Sequence, residues 1–332
     1  MTMKTWMQHW REDRGVSTLL LAVMLPAILG VQALTVDATR TFVERRELQN
    51  AVDAAALAAA TYLPSTNAVQ LDHARTAAVE YAALNGVTIS PSDVTFTTDR
   101  QPYDRVNVQA QADVSFVFAR TFGLSLGAVG SQGVAQLGQL GGMPGILPWG
   151  VEPPVGGFVF GDPYCLKLGS TGNGGACNGA VQGNFHALDI DDEGNSSASI
   201  YRDRIATGSL NMVHAGDIRD VVTGNMNGPT RQGLDDRVGS DITDFPDVIE
   251  VLPGGGYRVL DWSSPRIAVL PIVEYHNPTA TILGFGVFFI ETYSANGAVV
   301  GRFVDTVVPG GQWAPLAAGG TEYGGHVVRL IQ

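Results

Sequence analysis

Between Arg14 and Asp37 the chain runs through 22 consecutive residues without a charge, GVSTLLLAVMLPAILGVQALTV. Coiled as an α-helix at about 1.5 Å per residue, such a run reaches roughly 33 Å, close to the thickness of a bilayer's hydrocarbon core. It predicts a transmembrane helix over residues 15–36, with Leu19, Leu20, Leu21, Val23, Leu25, Ile28 and Leu29 as its anchor side chains. Pro26 lies inside the run. Proline breaks a soluble helix, but membrane spans tolerate it as a kink. A mean hydropathy of only +0.10 over 332 residues excludes a polytopic membrane protein, so one span is expected to carry a large water-facing body.

A cleaved signal peptide competes with this anchor, because Lys4, Arg11 and Arg14 form a basic leader and Val31-Gln32-Ala33 is a small-residue cleavage signal. The downstream sequence favours the anchor. Residues 37–63 are Ala-rich, lack Gly and Pro, and space Val43, Leu48, Val52, Ala55, Ala59 and Tyr62 near a 3.6-residue repeat. If both parts join, residues 16–63 form one rod of about 72 Å, lipid-embedded below and packed on a folded domain above. Cleavage at Ala33 would sever it. Three basic residues lie on each side of the span, so charge does not orient it. The 14-residue head is expected in the cytoplasm and the long acidic body outside. Fourteen Lys and Arg against 26 Asp and Glu follow Leu63, which accounts for the whole net charge of −12 and argues against nucleic acid as a partner.

Pro64 is expected to stop the rod, and residues 67–84 resume helical spacing with Ala68, Leu71, Ala74, Ala78, Tyr81 and Ala82 before Asn85-Gly86 ends it. Alternating patterns predict strands at 94–98, 106–114 and 129–137, with 116–122 as a fully buried apolar stretch between them. The segment 138–154 holds five Gly and four Pro in 17 residues, which predicts an exposed linker at 141–154. Apolar strand candidates follow at 158–160, 267–274, 283–292 and 299–308, while 161–240 is Gly- and Asp-rich with one short helix at 197–205. The expected fold class is α+β: a head at 1–14, the span at 15–36, a helical stem and small α+β module at 37–140, the linker, and a β-rich domain at 155–332.

Few side chains point to chemistry. Asp189, Asp191 and Glu193 concentrate oxygen ligands in a turn that suits a weak Ca²⁺ site or a solvated acidic loop, although Ile200 stands where a calcium hand needs Glu. Gly123-Leu-Ser125-Leu-Gly127 spells G-x-S-x-G without the helix that a nucleophile elbow requires. The six histidines follow no zinc spacing, and residues 169–183 lack the G-K-[ST] ending of a phosphate loop. Arg45, Arg46 and Glu47, together with Asp37–Arg40, suit lipid head groups or local ion pairs on a solvated helix face. Ala51, Ala55 and Ala59 form a small-residue face that admits another chain's helix or the chain's own second helix. No catalytic residue, cofactor or metal is assigned.

The run Arg14-Gly15-Val16-Ser17, the apolar span, Val36-Asp37-Ala38-Thr39-Arg40, and VERRELQNAVDAAALAAA over residues 43–60 resemble the head of TadE/TadG-like Flp pilus-assembly proteins. Weaker likenesses follow at 118–123, 183–189, 201–205, 224–230 and 284–290. The resemblance implies a non-enzymatic component of the tight-adherence pilus machinery, anchored in the inner membrane with its bulk in the periplasm, whose partners are machinery proteins or pilins. Two departures from family patterns stand out. Leu20 occupies the fifth position after Gly15, where pilins of this system carry Glu, and neither Asp113-Val-Ser-Phe-Val117 nor Asp261-Trp-Ser-Ser-Pro265 completes the Asp-x-Ser-x-Ser metal motif of longer relatives. In an oxidising periplasm Cys165 and Cys177 read as a disulfide, and in a reducing compartment as two thiols. A secreted β-rich binding module released after Ala33 and an extracytoplasmic hydrolase are the alternative functions.

Overall fold

A computed structural model describes residues 4–168, 180–194, 197–224, 226–316 and 323–331, with side chains from residue 18 onward except at 122, 168 and 182. Helix α1 is a single α-helix, Lys4–Ala60, that carries Pro26 in its interior. It starts earlier than the expected rod and ends three residues sooner. Thr61, Tyr62 and Leu63 close it with tight turns back onto the carbonyls of Ala58, Ala59 and Ala60. Helix α2, Ala68–Leu84, begins where Asn67 accepts a bond from the Val69 N–H at 2.9 Å, an N-cap that satisfies one of the first turn's orphan donors. Its buried stripe, Leu71, Ala74, Ala78 and Ala82, recurs at helical spacing and packs with the Ala-rich end of α1.

The strands then follow in chain order. They are β1 (Val94–Thr97), β2 (Arg105–Ser115), β3 (Leu126–Met143), β4 (Trp149–Val151), β5 (Pro163–Leu168) and β6 (Val181–Ala187). Helix α3 (Ala198–Thr207) precedes β7 (Val213–His214) and β8 (Ile218–Asp220), and α4 (Asn227–Val238) precedes a one-turn helix, α5 (Phe245–Val248). The rest are β9 (Ile249–Val251), β10 (Tyr257–Val259), β11 (Ile267–His276), β12 (Thr279–Tyr293), β13 (Val299–Val304), β14 (Thr306–Val307), β15 (Gln312–Ala314) and β16 (Gly325–Ile331).

One sheet runs β1-β2-β3-β16-β14, with β7 and β15 also lying along the long β3. A second runs β11-β4-β6-β5-β13-β12, and the β11–β12 pairing closes these six strands into a ring with β8 on the outside of β12. The mixed α+β class expected from sequence is the observed one. The first core lies between α1, α2 and the β2–β3 hairpin, and the second is centred on Trp149, Phe185, Tyr201, Phe288 and Phe303 with α3 and α4 over the ring. A third joins Leu140 and Val327 of the first sheet to Phe285, Phe289 and Val304 of the ring strands.

That third core corrects the expected exposed linker. Ile146 is buried in it and Leu147, Trp149 and Val151 are buried in the second core, while Gly138, Gly141 and Gly142 lie on β3 against the neighbouring strands β15 and β7. A Cβ on Gly138 would fall 2.2 Å from the indole nitrogen of Trp313, so glycine at this position leaves room for Trp313 of the paired strand β15. Three further expectations change. Residues 158–160 form no strand, although Phe158 packs onto Phe303 and Tyr164. The 161–240 region, expected to hold one short helix, also contributes four strands and α4. Residues 116–121, expected to be fully buried, are mostly exposed in a hairpin tip.

Candidate membrane anchor and its seat on the folded body

Helix α1 passes through three environments. Residues 18–36 touch almost nothing: Leu19, Leu20, Leu21, Val23, Leu25, Ile28 and Leu29 are all exposed, as are Met24, Val31, Leu34 and Val36. A helix that exposes aliphatic side chains on every face leaves a large apolar surface uncovered, and each such side chain taken out of water returns about 1.5–3 kcal/mol. This segment is long and apolar enough to cross a membrane, and none of its window is buried by the protein.

At Asp37 the environment changes. The residue is buried, and its carboxylate accepts three backbone N–H groups of the β2–β3 hairpin tip: Val117 at 2.8 Å, Phe118 at 3.0 Å and Ala119 at 2.7 Å. The tip tightens into a short 3₁₀ turn, Ala119–Phe122, closed by Gly123 at φ +84°, so successive amides point at one anion. Sequence reasoning missed this clamp. Its one signal was that Asp37 is the first charge after the span.

From Leu48 to Ala60 the helix is embedded in its own body. Leu48, Val52, Ala55, Ala56, Ala59 and Ala60 pack with α2 and with Val106, Val108 and Ala135 of the sheet. The approach is close enough that a Cβ on Gly133 of β3 would sit 2.6 Å from the Val52 carbonyl oxygen. Ala51, Ala55 and Ala59, expected from sequence to face either another chain's helix or the chain's own second helix, are fully buried. The small side chains serve internal packing, and that surface is not free. Arg45, Arg46 and Glu47 are exposed between these zones.

The acidic loop also takes a different role. Asp189 accepts the N–H groups of Glu193 and Gly194, and Asp191 accepts those of Leu210 and Asn211. Arg204 inserts its guanidinium against Asp191, with Glu193 at 3.1 Å and Asp203 at 2.8 Å. Burial alone would depress the Arg204 pKa, but its bond to Asp191 and the charges of Asp191 and Glu193 outweigh it and raise the value. The cation that these carboxylates hold is therefore the protein's own, and no metal-ligating cluster occurs among the described residues. Ser125 precedes a strand, β3, rather than a helix. His326 faces Asp305 at 2.6 Å and His186 stacks on Tyr275, each in a local structural contact. Cys165 is buried, while Cys177, with the expected bridge, lies outside the described residues.

Residues 15–61 match the Tad family model, described as "Putative Flp pilus-assembly TadE/G-like". The match coincides with the span, the Asp37 clamp and the buried end of α1. No curated protein and no solved structure matches the chain.

Proposed function

We propose that this protein is a membrane-anchored, non-enzymatic component of an Flp-type pilus-assembly machinery, acting by positioning and recognition. The observation that carries the proposal is the continuity of α1, which leaves an exposed apolar span and enters the core of the folded body without a break. A rigid connection of this kind transmits position: whatever the body binds is held at a fixed height above the bilayer. The family match over the same helix supplies the machinery. The body is assigned to the periplasm and the residues before the span to the cytoplasm, and the Cys165–Cys177 bridge belongs to that assignment. Partners are pilus machinery proteins or pilins, met through surfaces of the body other than the buried Ala face.

Deleting residues 1–36 tests this. The truncated protein is expected in the soluble fraction, with pilus assembly lost in a strain carrying it as the sole copy. Wild-type piliation from the truncated gene, or a mature N-terminus near Gln32 to Leu34 by mass measurement, would replace this function with that of a secreted binding module.

A further inference from the structure

We propose that the β2–β3 hairpin tip, residues 116–126, is a second membrane contact, seated in the lipid head-group region where α1 leaves the bilayer. It rests on α1 being the anchor. The Asp37 clamp fixes the place: Asp37 directly follows the last residue of the uncharged run, and its carboxylate holds the amides of Val117, Phe118 and Ala119. The tip is thereby pinned to the level at which the apolar band of the helix ends.

Its side chains suit that level. Val117 is 50% exposed, Phe118 42%, Leu124 61% and Leu126 60%, an apolar patch on a loop, where a water-facing tip would carry polar residues. Arg120, exposed among them, is the only charge between Val114 and Val151, so the tip offers a cation to lipid phosphates and no carboxylate to be repelled by them. The rest of the body is strongly acidic and would be repelled by an anionic bilayer, so this stretch is the part of it suited to approach one. Apolar side chains flanking an arginine are the composition of segments that lie in the interface. The hairpin also makes the contact stiff, since β2 and β3 pair without interruption from Arg105 and Gln136 to Ser115 and Leu126. One helix fixes a body's height but leaves it free to swivel; a second contact beside the helix sets its tilt.

The test places a photo-crosslinking p-benzoylphenylalanine at residue 118, 25 or 242, one at a time, in the full-length protein reconstituted in vesicles of phosphatidylethanolamine and phosphatidylglycerol. Ile242 is an exposed apolar residue outside the tip. Expected are lipid adducts from positions 25 and 118 and none from 242. Lipid adducts from 25 alone overturn the second contact and leave the anchor standing. Absence from both removes the anchor as well. Equal labelling at 118 and 242 would mean non-specific contact, and a protein–protein adduct from 118 would assign the patch to a second copy; either overturns the proposal.

Discussion

The two ends of α1 invert the usual relation between side-chain size and burial. Residues 18–36 hold exposed Leu, Ile, Val and Met, whereas on residues 51–60 the fully buried side chains are Val52 and the five alanines Ala51, Ala55, Ala56, Ala59 and Ala60. In water the large aliphatics would be the ones inside. The inversion is consistent with two different media. Lipid gives large apolar side chains no reason to hide, and there close packing depends on small ones. In the body, Ala lets α2 and β3 approach the helix backbone, and the apolar bulk of that core comes from Leu48, Val52, Leu71, Val106 and Val108. An uncharged apolar run marks one end of the helix and a 3.6-residue repeat the other; exposure separates the candidate anchor from the core helix.

One substitution placed at both ends breaks the comparison most sharply. Ala55→Arg puts an unpaired charge in a fully buried site, which costs several kcal/mol and a large part of a domain's total stability. Protease resistance and the thermal transition of the body are expected to be lost, with the polypeptide still in the membrane fraction. Leu25→Arg, at the middle of the span, costs about 2.5–3.5 kcal/mol of insertion. It is expected to release protein on alkaline extraction while the thermal transition stays where it was. If Leu25→Arg moved the transition instead, the exposed band would be buried by protein. Gly133→Ala is the gentler probe: its methyl would meet the Val52 carbonyl at 2.6 Å, and overpacking of this kind costs about 1–3 kcal/mol. A lower denaturant midpoint with unchanged membrane retention is expected.

What was legible in the sequence follows from how local each signal is. Helix α2 was read almost to the residue, because Asn67 caps it, Asn85-Gly86 ends it and its stripe is internal to the segment. Strands β2 and β3 were legible from alternation, though both extend beyond it, and β11 and β12 from apolar runs. The ring was not legible. It depends on parallel pairings, β4 with β11 and β5 with β6, that join segments far apart in the chain or loop back on themselves. Helix α4 was hidden by Gly228 and Pro229 in its first turn. The glycines of 138–142 looked like a linker because composition cannot distinguish a hinge from a strand that needs room for its neighbours' side chains. The run expected at 116–122 shows the opposite error: apolar composition suggested a buried stretch, yet Val117, Phe118, Arg120 and Thr121 are exposed. At the candidate site the seven apolar residues singled out in the span are all exposed, the Ala face was read as open either to another chain's helix or to the chain's own second helix and takes the internal role, and the Asp37 clamp was invisible because its partners are 80 or more residues away.

Acidification separates the two ends by the smallest effect. Asp241 accepts Nε of Arg266 at 2.7 Å and the Thr243 N–H at 2.9 Å, and these bonds hold its carboxyl below the ordinary carboxylate range. A carboxylate whose folded-state pKa lies below its unfolded value of about 3.9 contributes stability that is complete above that value and is lost as pH falls through the folded one. Wild-type body stability should therefore fall as pH drops through about 3.9 and below, and Asp241→Asn should flatten that slope, read from denaturant midpoints across pH. The span at 15–36 contains no titratable side chain. Its retention in the membrane should be the same at pH 3.5 and pH 7 while the body loosens. Release of the full-length protein from vesicles on acidification would mean that charged contacts of the body, rather than the apolar end of α1, hold the protein to the bilayer.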